Sequence, residues 1–149
     1  MRNLIFCFGL TLCMLGCKNA EVASKQTKEM NSYEILYMAE YGGAGEDETR
    51  IIETQDDFAR YWAEVTHQPA LSAAKFDSNQ KMIITKSFPS RNSGGNEYKI
   101  NSIKQTGNTI QVHYTIIPPK DMATMAITNP LMILLVDKVE KPQIEFILE

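Results

Sequence analysis

Between positions 110 and 116 apolar and polar residues alternate strictly, with Ile110, Val112, Tyr114 and Ile116 set against Gln111, His113 and Thr115. A period of two sends one set toward a core and the other toward solvent, so this segment predicts a half-buried strand. Gln105-Thr106-Gly107-Asn108 just before it carries turn chemistry, and residues 98–103 read as its antiparallel partner. Residues 131–136, Leu-Met-Ile-Leu-Leu-Val, are apolar without a break. Such a run fits a central strand covered on both faces. Glu140-Lys141-Pro142 then turns the chain into a last strand at residues 143–148, and residues 82–88 are rich in strand formers.

The first half reads differently. Tyr33, Ile35, Tyr37 and Tyr41 share one face at period two, which predicts a strand. Gly42, Gly43 and Gly45 with Glu46-Asp47-Glu48 break it, and residues 49–53 return as the second arm of a hairpin. A phosphate-cradling glycine loop leads into a helix N-terminus. This one leads into a strand and carries three acids, so it reads as a solvated loop tip. Thr54 and Asp57 then form a capping box, and Phe58, Tyr61, Trp62 and Val65 follow at helical spacing as a core stripe. Pro69 closes the helix region. The fold class expected is α+β, mainly β: an antiparallel sheet with one packed helix, in a single domain over residues 33–149.

The amino terminus adds a location. Arg2 precedes an apolar run over residues 4–15 that as a helix would span roughly 18 Å, against roughly 30 Å for a bilayer core. It is therefore read as a signal peptide, residues 1–16, and not as a membrane span. Met14-Leu15-Gly16-Cys17 resembles the lipobox that lipoprotein signal peptidase cuts before an acylated cysteine. Cys7 and Cys13 leave with the signal, so Cys17 would remain as a lone thiol in an oxidising compartment, and lipid attachment uses it. Residues 17–32, with only Val22 and Met30 as larger apolar residues after Cys17, are expected to be a flexible tether. The expected location is the cell envelope, on the extracytoplasmic side of a bacterial membrane, held by the lipid. Losing residues 1–16 removes Arg2 and no acid, so the formal charge moves from −3 to −4. An acidic domain has no general attraction for nucleic acid, and no such partner is expected.

Catalytic and metal chemistry find little support. A triad needs a histidine between a nucleophile and an acid. His67 lies just past the helix as a partner for its dipole, and His113 falls on the polar face of a strand, where it reads as solvated. Two histidines and no free cysteine do not make a structural zinc site, and Glu46-Asp47-Glu48 lacks the alternating spacing of a calcium loop. No catalytic residue, metal or cofactor is expected, and the chain is read as a non-enzyme.

Several local features occur in a recognisable order: Phe58 and Trp62 on the helix, Phe76-Asp77 before Lys81-Met82-Ile83-Ile84, Arg91-Asn92-Ser93-Gly94-Gly95 before a strand opening at Tyr98, Pro118-Pro119, and Thr128-Asn129-Pro130 before the apolar strand. In this order and spacing the chain resembles the PrcB C-terminal domain family, named after a lipoprotein subunit of a bacterial surface protease complex. In the family pattern a tyrosine follows the glycine pair directly. Here Asn96-Glu97 intervene, so a longer loop is expected. The resemblance implies a non-catalytic accessory role, stabilising or docking to a secreted protease.

Residues 91–97 and 122–130 both precede strands expected to share the sheet in parallel directions, which would bring these loops to one end. The expected partner-binding residues are Ser93, Gly94, Gly95, Tyr98, Met125, Asn129 and Pro130. Methionines on a loop suit an adaptable recognition surface. Two other readings stand beside this one: a protease inhibitor whose loops at Ser93-Gly94-Gly95 and Asn129-Pro130 block a cleft, and a small-ligand carrier that uses the sheet as a pocket.

Overall fold

The computed structural model describes residues 26–66, 74–120 and 125–149. The signal peptide, Cys17, His67, Pro69 and Met122 lie outside these residues. The described elements are β1 (Thr27–Glu29), β2 (Glu34–Ala39), β3 (Glu48–Ile52), α1 (Gln55–Thr66), β4 (Lys81–Ser87), β5 (Glu97–Thr106), β6 (Thr109–Ile117), β7 (Leu131–Asp137) and β8 (Gln143–Leu148). The class is α+β and mainly β, with one helix among the described residues.

Local chemistry starts and stops these elements as the pattern predicts. The Thr54 hydroxyl accepts from the Asp57 backbone N–H at 3.2 Å and donates to the Asp57 carboxylate at 2.6 Å, so the first turn of α1 is capped by its own sequence. Gly107, at φ 63°, takes the first position of the two-residue turn between β5 and β6, a conformation that costs other residues about 1 kcal/mol or more.

The strands form two sheets where the pattern alone gave one. Strands β1-β5-β6-β8 make one sheet, and β2-β7-β4-β3 make the other. Neighbours are antiparallel except β6 and β8, which run parallel. The second sheet is the middle layer. One face packs on the first sheet through Met82, Ile84, Phe88, Ile103, Ile110, Val112, Met132, Leu134 and Val136. The other packs under α1 through Ile83, Leu131 and Ile133 against Phe58, with Tyr61, Trp62 and Val65 alongside. This explains why residues 131–136 show no alternation: each side chain meets one core or the other. Each such Ile, Leu, Met or Phe contributes about 1.5–3 kcal/mol through burial, which is how the described fold holds together without a disulfide.

Three expectations are corrected by this arrangement. The tether was expected to run to Ser32, but Thr27–Glu29 pair with β5 and Met30 is buried, its N–H donating to the Ile103 carbonyl at 2.8 Å. Polar side chains do not prevent edge pairing, because the ladder uses backbone groups. The shared face of Tyr33, Ile35 and Tyr37 is broken by a register shift between Ile35 and Tyr37. A bulge moves each later side chain to the opposite face. Tyr33 therefore packs toward the core between the sheets, Tyr37 toward the helix, and Ile35 is exposed. Finally, His113 is not free in solvent: its Nδ1 lies 2.8 Å from Glu149 Oε1, and its buried Nε2 meets no partner.

Candidate functional site

Ala39, Leu131, Ser87 and Glu48 align across the four strands of the middle sheet and mark one end of it. Glu97 pairs with Ile117 at the end of the other sheet that the 88–96 segment reaches. Three loops gather here: residues 40–47, 88–96 and 125–130.

The latter two are stitched by an isolated antiparallel bridge. Arg91 and Thr128 exchange N–H to carbonyl hydrogen bonds, both 2.9 Å. Thr128 is fully buried, and its hydroxyl reaches the Ser93 carbonyl at 3.5 Å. The loops thus meet as expected, though for another reason: β5 and β7 lie in different sheets, and a backbone bridge joins them instead of a shared strand direction.

The glycine loop joins the same assembly. Gly43 N–H donates to the Asn129 carbonyl at 2.9 Å, Ala44 N–H to Ser87 Oγ at 2.8 Å, and Ser90 N–H to the Gly45 carbonyl at 2.9 Å. A Cβ on Gly43 would stand 2.5 Å from the Pro130 carbonyl oxygen, so only glycine lets the loop lie this close. Asp47, beyond these glycines, pairs with Lys86, whose ammonium sits between the sheets, 5.9 Å from the Phe88 ring centroid and 5.2 Å from that of Phe146. This loop is therefore anchored through its backbone and through Asp47, while Glu46 and Asp47 stay exposed, as expected of a solvated loop tip.

The expected site residues divide. Met125 is fully exposed and Ile127 is 69% exposed. Gly95 is exposed at φ 89°, and a Cβ there would come 3.1 Å from Pro119. Ser93 is half-buried and Gly94 buried, the Ser93 carbonyl accepting from Asn96 Nδ2 at 3.3 Å. Asn129 is half-buried and its Oδ1 accepts from the Ser90 hydroxyl at 2.8 Å, whereas Pro130 is buried and its carbonyl accepts from Phe88 N–H at 2.9 Å. Tyr98 does not belong to an open surface. Its ring packs on Phe88 at 4.7 Å, the Arg91 guanidinium lies 6.0 Å over it, and its hydroxyl is buried without a partner at bonding distance. Burial pushes the Tyr98 phenol up, against a smaller opposing pull from Arg91. Pro130 and Tyr98 are supports of this end, with Met125, Ile127 and Gly95 its exposed face.

Sequence reasoning missed a cleft of about 600 Å3 on the helix side of the same end, where Tyr37, Tyr41, Arg50, Tyr61, Glu64 and Asn129 meet. The tyrosines carried a signal as an aromatic cluster, but their convergence depends on the bulge after Ile35 and on how α1 lies against β3. Among the described residues no group of three or more His, Cys, Asp or Glu is placed to hold a metal, and no helix is long and apolar enough to cross a membrane.

Comparison with known proteins finds similarity over part of the chain. The chain is 38% identical over 52 residues to an uncharacterized protein of Methanocaldococcus jannaschii, a stretch covering 35% of this chain and 32% of that protein. It thus spans about a third of that relative's length. No solved structure matches with comparable significance. A family model described as PrcB C-terminal matches residues 82–137, from the second residue of β4 to the end of β7, so β4 to β7 and two of the three loops at this end lie within the stretch that is similar to the PrcB C-terminal family, and β2, β3 and the glycine loop lie outside it.

Proposed function

We propose that the chain is a non-catalytic accessory module that docks a protein partner through its loop end, the partner being a secreted protease. The observation that carries this reading is the pair of exposed apolar side chains, Met125 and Ile127, on a segment tied to the neighbouring loop by the Arg91–Thr128 bridge. Exposed Ile117 lies at the same end. Apolar groups displayed on a fixed backbone lose little entropy on association and bury well against a partner. The match to the PrcB C-terminal family over residues 82–137 supports the protease as the partner class. The module would be held to the extracytoplasmic face of a membrane by lipid on Cys17, after removal of residues 1–16.

The test is capture from solubilised membranes with the full chain and with Met125→Glu and Ile127→Glu. Both sites are exposed, so folding should stay within about 0.5 kcal/mol of the parent. The expected result is a stoichiometric protease complex with the parent and at least about tenfold less with the double variant, which corresponds to about 1.4 kcal/mol. Folded variants that capture as well as the parent refute the docking surface. Loss of the protease's activity on adding pure chain would replace the accessory role by inhibition. Gly95→Asp is a poor probe, because positive φ and the nearby Pro119 both oppose a side chain there.

A further inference from the structure

The tyrosine cleft has no part in the docking surface beyond its contact with Asn129. Its back wall is stiff: the Tyr37 hydroxyl donates to the Tyr41 carbonyl at 3.1 Å, and Trp62 packs edge-on against the Tyr37 ring at 5.9 Å. Tyr41 is 56% exposed. Arg50 donates through Nε to Glu48 at 2.8 Å, and its guanidinium lies 5.6 Å over the Tyr61 ring. The cleft therefore already shows one cation settled on a tyrosine face with a carboxylate beside it.

Glu64, one helical turn after Tyr61, adds a charge that acts on both Arg50 and Tyr61. Among the described residues no cation lies within ion-pair distance of it. With Arg50 balanced by Glu48, the cleft keeps one negative charge among three aromatic rings. Negative ring faces and an uncompensated carboxylate both favour a cation. An anion would meet Glu64 directly, and an apolar group would strip it of water without returning a hydrogen bond.

We propose that this cleft receives a basic side chain, lysine or arginine, presented by the protein partner, with its charge on Glu64 and its stem along the Tyr41 ring. The inference rests on the reading that the partner is a protein, and deepens it by naming what the partner presents. Tyr61 stays protonated at neutral pH, since burial raises its pKa first of all, so it contributes a neutral ring and no competing charge.

The experiment titrates amidated pentapeptides, Gly-Gly-Lys-Gly-Gly and its arginine, norleucine and glutamate counterparts, into the full chain purified in detergent with carbon-labelled tyrosine rings. The lysine and arginine peptides should shift the Tyr37, Tyr41 and Tyr61 ring signals. The norleucine peptide, which keeps the stem and lacks the charge, should bind at least about tenfold more weakly, as should the lysine peptide to Glu64→Gln. Tyr41→Ala, on an exposed loop residue, should weaken binding while leaving the fold intact. Equal binding of lysine and norleucine peptides, binding unchanged in Glu64→Gln, or no shift of these rings up to tens of millimolar overturns the proposal. The outcome separates from that of the docking surface. Peptides that fail while Met125→Glu still abolishes capture remove only the cleft's role, and peptides that bind while loop variants capture normally remove only the loops' role.

Discussion

Phe58 is the test of how α1 is fastened. Its ring is fully buried, with ring centroids 5.7 Å from Trp62 and 6.0 Å from Phe76, and it belongs to the cluster of Ile83, Leu131 and Ile133 beneath the helix. Phe58→Ala removes this ring from a place where neighbours on several elements hold the cavity open, so the loss should fall at about 3–5 kcal/mol. About 0.5–1.5 kcal/mol of that for each edge-on pair comes from ring geometry beyond area alone. Trp62 is only partly buried. Water can enter the space its truncation leaves, so Trp62→Ala should cost less, toward the low end near about 3 kcal/mol. Against a net stability of about 5–15 kcal/mol, the Phe58 change alone brings a domain near its limit. At about 4 °C per kcal/mol for a domain of intermediate size, the melting temperature should drop by roughly 12–20 °C. The assay is thermal and urea unfolding of the full chain by far-UV circular dichroism. A Phe58→Ala chain melting within about 3 °C of the parent, or a Trp62→Ala chain clearly less stable than Phe58→Ala, refutes the assignment of Phe58 as the centre of this cluster.

Three further outcomes are expected. Asp47→Ala leaves the Lys86 ammonium, whose side chain is 9% exposed, without its carboxylate, and should cost about 1–3 kcal/mol, whereas Lys86→Met, which leaves the 66% exposed Asp47 in water, should be near neutral; urea midpoints check the order. The Glu149 carboxyl is held below its usual range by hydrogen bonds from Asn101 and then His113, so the folded state binds its proton less readily than the unfolded state. The stability this gives is present above the unfolded value of about 4.3 and is lost as pH falls through the lower folded value, so between about pH 5 and pH 3 the parent should lose more stability than Glu149→Gln, measured by urea midpoints at each pH. Cys17→Ser should abolish fatty-acid labelling and release the chain from membranes, and a Cys17→Ser protein that still labels and still partitions with detergent refutes lipid attachment there.

What could be read from the sequence depends on how local each constraint is. The cap at Thr54 and the alternation through Ile110 and Tyr114 are set by residues a few positions apart, and both stand in the structure. The doubly covered strand at Leu131 was legible because both cores demand apolar residues. Its neighbour β4 was less so, since Thr85, Lys86 and Ser87 are buried there through polar partners such as Asp47 and Ala44 N–H, which come from another loop. The division into two sheets was not legible, because nothing local distinguishes a strand that pairs with its predecessor from one that crosses over. Tyr98 reads as a site residue because it opens the strand after the Ser93-Gly94-Gly95 loop, but its place at a buried strand position decides that it packs on Phe88. The cleft needed the bulge after Ile35, and a single unpaired residue leaves no mark on the hydrophobic pattern.

The pairing of β4 with β7 has a consequence for how the fold opens. These strands run side by side from Lys81↔Asp137 to Ser87↔Leu131, and their two faces belong to different hydrophobic clusters. Separating them would expose both clusters at once, so their amides should exchange with solvent only when the whole domain unfolds. Edge strand β1, three residues long, should exchange through small local openings. Because β4 and β7 are distant along the chain, their ladder can close only after a long loop is ordered, so the hairpin of β5 and β6 should acquire protection earlier during refolding. Pulse-labelled amides would read that order strand by strand, and a central ladder protected first would mean that the middle layer nucleates the fold instead of completing it.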